Sequence, residues 1–94
     1  MPDPKLLTLE NDEYVHWIRT LPCLLCHGME SDPHHVRHAR KNDYMAVPLC
    51  REHHGSIHNM GGDTFAETYS IDLSWEIMTL LMRYIELCKG HVIQ

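Results

Sequence analysis

Two short half-sites constrain this chain more than any other feature of its sequence. Cys23-x-x-Cys26 and Cys50-x-x-His53 each carry two metal-ligand side chains at the spacing that is typical of zinc sites. Two thiolates from one half-site, with a thiolate and an imidazole from the other, complete the tetrahedron of a closed zinc site. The spacing therefore predicts a structural zinc ion held by these four side chains.

The size and composition of the chain are consistent with a metal-stabilised domain. A chain of 94 residues buries a limited fraction of its surface, and such domains often recruit metals or oligomerise. The acidic N-terminal stretch lacks the apolar core of a signal peptide, and no apolar run is long enough to span a membrane. We therefore expect one cytoplasmic domain over residues 1–94, in which reduced thiols bind a metal. The alternative is that the cysteines are only buried small hydrophobes.

The chain has more histidines than the zinc site uses. His54 and His58 are four residues apart, so on a helix they share one face and can hold a second cation. His34 and His35 are neighbours on a predicted strand, where alternation sends them to opposite faces. One of them can join the second cation while the other faces a substrate. The alternative is that both pairs are ordinary surface histidines.

The apolar and turn-residue pattern predicts a small α+β domain. Its short elements are a helix over residues 11–20 capped by Asn11 or Asp12, strands over 34–38 and 44–49, and a helix over 51–59 stopped by Gly61-Gly62. A capping box from Thr64 to Glu67 predicts another small helix.

The last predicted helix covers about residues 73–89, begins at Asp72 or Ser74 and ends at Gly90. It is apolar on more than one side, and Cys88 is expected to belong to the side that faces the core. The remaining apolar surface exceeds what a small domain buries, which predicts a homodimer or a partner-binding helix.

The charge distribution bears on nucleic-acid binding. The net charge of −5 argues against it at first sight, but the acids gather near the N-terminus and along the C-terminal third. A basic segment of an otherwise acidic protein can still bind a phosphate backbone with modest, salt-sensitive affinity. We predict that Arg37, Arg40 and Lys41 contact phosphates as a group; the alternative for each is a solvated surface charge.

The succession Cys-x-x-Cys, His-His and Cys-x-x-His-His-x-x-x-His resembles the HNH endonucleases and their ββα-metal fold. The nearer likeness is to small phage and prophage members, including the recombination-enhancement nucleases, through WIRTLPC at residues 17–23 and DYMAVPLCREHH at 43–54. It covers about residues 14–70. The resemblance implies a ββα-metal core with a zinc knuckle, flanked by a short N-terminal helix and the apolar C-terminal helix.

The resemblance also implies roles for the surplus histidines. His34, His54 and His58 correspond to ligands of a catalytic divalent cation, and His35 corresponds to the general base. Histidine ordinarily titrates near pH ~6.5, so a neutral imidazole can take a proton from the water that attacks a phosphodiester. Three neutral ligands leave coordination positions open, and Mg²⁺ or Mn²⁺ is the expected ion, with Ni²⁺ or Co²⁺ also accommodated.

The middle residue of the HNH pattern departs from the family. Members often have an asparagine shortly before the helix, where it orients the base or the loop. At the commonest spacing this chain has Met45, so the resemblance leaves Asp43, or the neighbouring Asn42, as the substitute.

We therefore expect a metal-dependent endonuclease that hydrolyses phosphodiester bonds in DNA. It nicks or cleaves DNA, either nonspecifically or with a preference for DNA structure. The resemblance places it in phage or prophage recombination or DNA processing, in the cytoplasm of a bacterial host. Two alternatives stay open. One is a non-catalytic zinc-binding interaction module that keeps the fold, and the other is a nuclease that cleaves RNA.

Overall fold

The fold is built around a two-stranded antiparallel sheet with helices packed against it. The computed structural model describes residues 9–36 and 42–92, with side chains as far as Lys89. The elements in chain order are α1 (Asp12–Arg19), β1 (Asp32–His35), a 3₁₀ turn (Asp43–Met45), β2 (Ala46–Leu49), α2 (Arg51–Met60), α3 (Gly62–Thr68) and α4 (Leu73–Val92). The predicted α+β class is confirmed.

The register of the sheet fixes where the His34-His35 pair points. Strand β1 pairs with β2 so that His34 lies opposite Val47 and His35 opposite Ala46. Strand β2 is buried along its whole length, whereas every residue of β1 is partly exposed. The sheet is thus anchored through β2, and β1 can present side chains on both of its faces.

Both strands are shorter than predicted, for local reasons. Strand β1 starts at Asp32, before the predicted start at His34, and ends at His35. Strand β2 begins only at Ala46 because the preceding residues form the 3₁₀ turn. The side chain of Asn42 caps that turn by accepting a hydrogen bond from the backbone N–H of Tyr44 at 3.1 Å. Turn chemistry therefore replaces the first part of the predicted second strand.

Helix α1 begins where the sequence predicts and supplies much of the core. Of the two candidate caps, Asn11 is the one used, because its Oδ1 accepts a hydrogen bond from the backbone N–H of Tyr14 at 2.9 Å. Tyr14 and Ile18, one turn apart, are fully buried. The Tyr14 ring packs against the rings of Tyr44 and Tyr84 at centroid distances of 5.3 and 4.9 Å, which ties α1 to the 3₁₀ turn and to α4.

Glycines and caps set the limits of the later helices. Gly61 ends α2 with a φ of +85°, a conformation that L side chains rarely adopt, so the predicted stop is confirmed. The predicted capping box from Thr64 is wrong, since α3 starts at Gly62 without a side-chain cap. Asp72 caps α4 through Oδ1, which accepts from the backbone N–H of Trp75 at 3.2 Å.

The C-terminal half of α4 departs from the sequence prediction in two ways. The helix continues past Gly90 to Val92, so that glycine does not end it. Cys88 is exposed, which corrects its assignment to the core. The reason is that residues 85–89 are all exposed and only the earlier turns of α4 pack against the domain. In the part of the chain that is described, no helix has the length and apolar character needed to cross a membrane.

Asn11 offers a test of how α1 is joined to the 3₁₀ turn. Besides capping α1, its Nδ2 donates to the Tyr44 hydroxyl at 2.9 Å. Replacing Asn11 by alanine should lower the free energy of unfolding by about 1–2 kcal/mol, because both the cap and this hydrogen bond are lost. Urea denaturation of the metal-loaded protein measures the change.

The matched control is Asn11→Ser, which keeps a capping acceptor and loses only the reach to Tyr44. We expect it to retain more stability than the alanine variant. Equal stability of the two variants would show that the cap contributes nothing.

Candidate metal centres

The two half-sites meet in one cluster of four side chains. The ligand atoms of Cys23, Cys26, Cys50 and His53 all lie within 4.8 Å of one another. The sulfurs of Cys26 and Cys50 are 3.8 Å apart, and Nδ1 of His53 is 3.2 Å from the sulfur of Cys50. Ligands about 2.3 Å from a central zinc ion would be roughly 3.8 Å apart in a tetrahedron. The cluster therefore has the donor set and the spacing to hold a metal such as zinc.

The backbone builds this cluster from two directions. The chain turns after Cys23, whose N–H donates to the carbonyl of Gly28 at 2.8 Å, and Leu24 is joined to β2 by a hydrogen bond to the carbonyl of Pro48. A Cβ at Gly28 would lie 3.3 Å from the sulfur of Cys26, so a glycine suits this turn. The other two ligands come from the N-terminal end of α2, which Cys50 caps.

The local electrostatics favour a cation here. Burial raises the pKa of the Cys23 thiol, but backbone N–H groups of Cys26, Cys50 and Leu25 and the His53 ring outweigh it and lower that pKa to about 6. The N–H of Gly28 lowers the pKa of Cys26, but burial and the neighbouring thiols outweigh that and raise it. One thiolate forms readily and a second is opposed, so a bound cation relieves the repulsion.

A second cluster consists of histidines alone. Strand β1 contributes His34 and helix α2 contributes His54 and His58, and their ring nitrogens lie within 4.8 Å of one another. The Nε2 atoms of His54 and His58 are 3.1 Å apart. Two nitrogens that share a cation at about 2.1 Å are roughly 3.0–3.4 Å apart. The three-histidine cluster can therefore also hold a metal ion.

The three-histidine cluster is open, unlike the closed Cys₃His cluster. His58 is exposed, and His34 lines a cavity of about 440 Å³ whose rim includes Asp63 and Asp72. Burial, followed by the nearby rings of His54, His58 and His35, lowers the pKa of His34 to about 4. That ring is neutral at physiological pH, with a lone pair for a cation, and three protein ligands leave positions for water or a substrate.

An outer carboxylate, which the sequence analysis did not identify, faces one of these rings. Oδ2 of Asp32 lies 3.5 Å from Nδ1 of His54, and Oδ1 of Asp32 lies 3.9 Å from the guanidinium of Arg19. A partner on Nδ1 directs Nε2 toward the cation, as in carboxylate–histidine–metal triads. Asp32 and His34 are two residues apart on β1 and share a face, but the predicted strand began only at His34, so the strand period did not include Asp32.

His35 leaves β1 on the other side and forms a separate contact. Its Nε2 lies 3.0 Å from Oδ1 of Asp43, and it is not part of the three-histidine cluster. Oδ2 of Asp43 accepts a hydrogen bond from the backbone N–H of Asn11 at 2.8 Å. A carboxylate on Nε2 assigns the ring proton to that nitrogen and leaves the lone pair on Nδ1.

Asp43 and Asn42, the two candidates for the residue that orients His35, make different contacts. Asp43 contacts His35, whereas the side chain of Asn42 accepts from the backbone of Tyr44 and caps the 3₁₀ turn. Met45 packs against the core. The hydrogen bond from Asn11 to Asp43 could not be predicted from local sequence, because the two residues are distant along the chain.

The predicted phosphate contacts Arg37, Arg40 and Lys41 lie outside the described residues.

Comparison with known proteins gives a family and one distant relative. The family model described as "Protein of unknown function (DUF968)" matches residues 1–86. A protein of Escherichia coli (strain K12), "Uncharacterized protein YdfU", is 32% identical, over 88% of this chain and 24% of its own length. The chain thus spans about a quarter of that relative. No solved structure matches the chain.

Removal of metal tests the Cys₃His cluster. We expect the purified protein to carry zinc, and a strong chelator to cause loss of helical circular dichroism, because closed zinc sites supply folding free energy. Cys26→Ala should lose the ion, as measured by elemental analysis. Cys88→Ala is the matched control, since this exposed cysteine lies outside the cluster and its loss should leave the zinc content unchanged. A chelated protein with an unchanged melting temperature would contradict the assignment.

The role of Asp32 is tested by metal affinity. Replacing it with alanine should weaken Mn²⁺ binding at the three-histidine cluster by roughly 10- to 100-fold, the usual effect of losing an outer-shell partner. Calorimetric titration of zinc-loaded protein measures this affinity. Glu52→Ala removes the same charge from an exposed position on α2 and controls for long-range electrostatics. An equal loss in both variants would argue against a specific contact with His54.

Proposed function

We propose that this chain, which belongs to the family described as "Protein of unknown function (DUF968)", is a metal-dependent endonuclease of the HNH type that hydrolyses phosphodiester bonds in DNA. The observation that carries the proposal is the His35–Asp43 pair, in which Nε2 and Oδ1 are 3.0 Å apart. His35 directly follows His34, a member of the three-histidine cluster, in the chain. A cation-binding cluster beside a carboxylate-oriented imidazole is what metal-assisted hydrolysis requires.

The placement of the ligands supports a ββα-metal core. Strands β1 and β2 and helix α2 follow one another along the described chain, apart from the 3₁₀ turn between the strands. His34 comes from the first strand, and His54 and His58 come from the helix. This order agrees with the HNH resemblance, in which the strand pair contributes the base and one ligand, and the helix contributes the rest.

In the proposed reaction, Nδ1 of His35 takes a proton from a water molecule that attacks the phosphorus, and the bond from phosphorus to the 3′ oxygen breaks. The 3′ oxygen takes up a proton from solvent, which gives a 5′-phosphate and a 3′-hydroxyl. Asp43 holds the ring through Nε2 and stabilises the imidazolium that forms. Asn11 holds the carboxylate through its backbone N–H, so the pair is positioned before substrate arrives. A divalent cation on the three histidines, Mg²⁺ or Mn²⁺, would supply charge stabilisation at the phosphate and the leaving oxygen.

Substrate binding in this proposal is assigned to positive side chains that follow the base in the sequence. Arg37, Arg40 and Lys41 follow His35 closely in the sequence. Phosphate contacts from such a strip fix the position of a nucleic acid without reading its bases. We therefore propose DNA binding of modest, salt-sensitive affinity that is either nonspecific or selective for DNA structure.

The non-catalytic alternative accounts for fewer of these features. A zinc-binding interaction module needs the Cys₃His cluster, which secures the start of α2. It has no use for a second, open cluster of three imidazoles, or for an aspartate whose two oxygens are held by His35 and by a backbone N–H. We therefore favour the nuclease.

A plasmid-nicking assay tests the proposal. The wild-type protein should nick DNA when Mg²⁺ or Mn²⁺ is present and stop when EDTA is added. His35→Ala should lower the rate by ~10²- to 10⁴-fold, the usual contribution of a general base. His16→Ala is the matched control, because this histidine is exposed on α1 and outside both clusters.

The double variant His35→Ala/Asp43→Ala tests whether Asp43 acts through His35. If Asp43 acts only through the base, the double variant should be no slower than His35→Ala alone. Zinc content and circular dichroism should match the wild type in every variant. Wild-type protein that cleaves neither DNA nor RNA with any of the candidate metals would favour the interaction module, and cleavage of RNA alone would favour the RNA-cleaving alternative.

A further inference from the structure

Helix α4 carries a second apolar face that points away from the core. Its inner side buries Leu73, Ile77 and Leu80. On the opposite side, four large apolar side chains are between 52% and 59% exposed, and we call them the outer stripe: Trp75, Met78, Met82 and Ile85. A contiguous apolar patch of this kind on a small domain marks an interaction surface.

The spacing of the outer stripe suits one partner in particular. Its members are separated by three, four and three residues, which is the a/d spacing of a coiled coil. This order reads the same in both directions along the helix. An antiparallel copy of α4 therefore places Trp75 opposite Ile85 and Met78 opposite Met82, and two-fold symmetry repeats both pairs.

Charged side chains at the two ends of the outer stripe also favour the antiparallel pairing. Lys89 lies one turn beyond Ile85 on the same side of α4, and its ammonium group is 3.5 Å from the carboxylate of Glu86. In the antiparallel pairing, Lys89 lies beside residues 71 and 72 of the second copy, and Asp72 is exposed. The symmetric pairing thus brings a lysine near an aspartate at each end. A parallel pairing would instead place each lysine beside its equivalent.

We infer that two copies of the chain associate through the outer stripe, with their α4 helices antiparallel. The inference does not depend on the proposed nuclease activity. None of the described residues that form the two metal clusters lies on α4. The partner is a second copy because the stripe is complementary to itself.

Light scattering after size exclusion tests the association over a concentration series. The wild-type protein should approach twice the chain mass of 11.0 kDa. Met82→Glu places a charge at the middle of the stripe and should return the mass to that of one chain. Leu87→Glu is the matched control, since Leu87 is 48% exposed on the same helix but lies off the stripe, and this variant should remain dimeric.

Cysteine cross-linking tests the antiparallel register in a Cys88→Ser background. The double variant Met78→Cys/Met82→Cys should form an intermolecular disulfide, because position 78 faces position 82 of the second copy. Met82→Cys alone should not, because position 82 does not face itself. Three outcomes would overturn the inference: a wild-type mass of one chain at every concentration, loss of the dimer in Leu87→Glu, or cross-linking of Met82→Cys alone. The first of these is the outcome expected if a different protein, or another segment, covers the stripe.

Discussion

Both metal clusters depend on the first turns of α2. Cys50 and His53 face the Cys₃His cluster, and His54 and His58 face the three-histidine cluster. Consecutive helical residues point about 100° apart, so His53 and His54 serve neighbouring sites without any bend in the backbone. A metal ion in the closed cluster would hold this turn against the Cys23–Cys26 knuckle, and would thereby also fix the direction of the rings in the open cluster.

The sheet register adds the second constraint. The side-chain period of a strand is two, so Asp32 and His34 share one face of β1 and His35 takes the other. A shift of one residue in the pairing would exchange them. The pairing of His34 with Val47 and of His35 with Ala46 therefore determines which histidine contacts α2 and which contacts Asp43.

Local spacing made some of this arrangement predictable. The four ligands of the closed cluster, and the pairing of His54 with His58, follow from ligand spacing and the helical period. The choice of Asp43 over Asn42 did not, since it depends on a 3₁₀ turn and on the backbone of Asn11, which lies far away in sequence. Asp32 was missed because the predicted strand began at His34, whereas β1 starts at Asp32. Cys88 was misassigned because helix periodicity gives the direction of a side chain but not where the domain ends.

The two clusters, one closed by four protein ligands and one open with three, affect folding stability differently. A small domain gains stability from a closed site, in which every coordination position is occupied by protein. An open cluster contributes less to folding, and burial, followed by the neighbouring imidazoles, lowers the pKa of His34 and disfavours its protonation. The domain can carry that open cluster because the closed one, together with the aromatic packing around Tyr14, already secures β2 and α2. The positions that the protein leaves open on the three-histidine side are then free for water or another ligand.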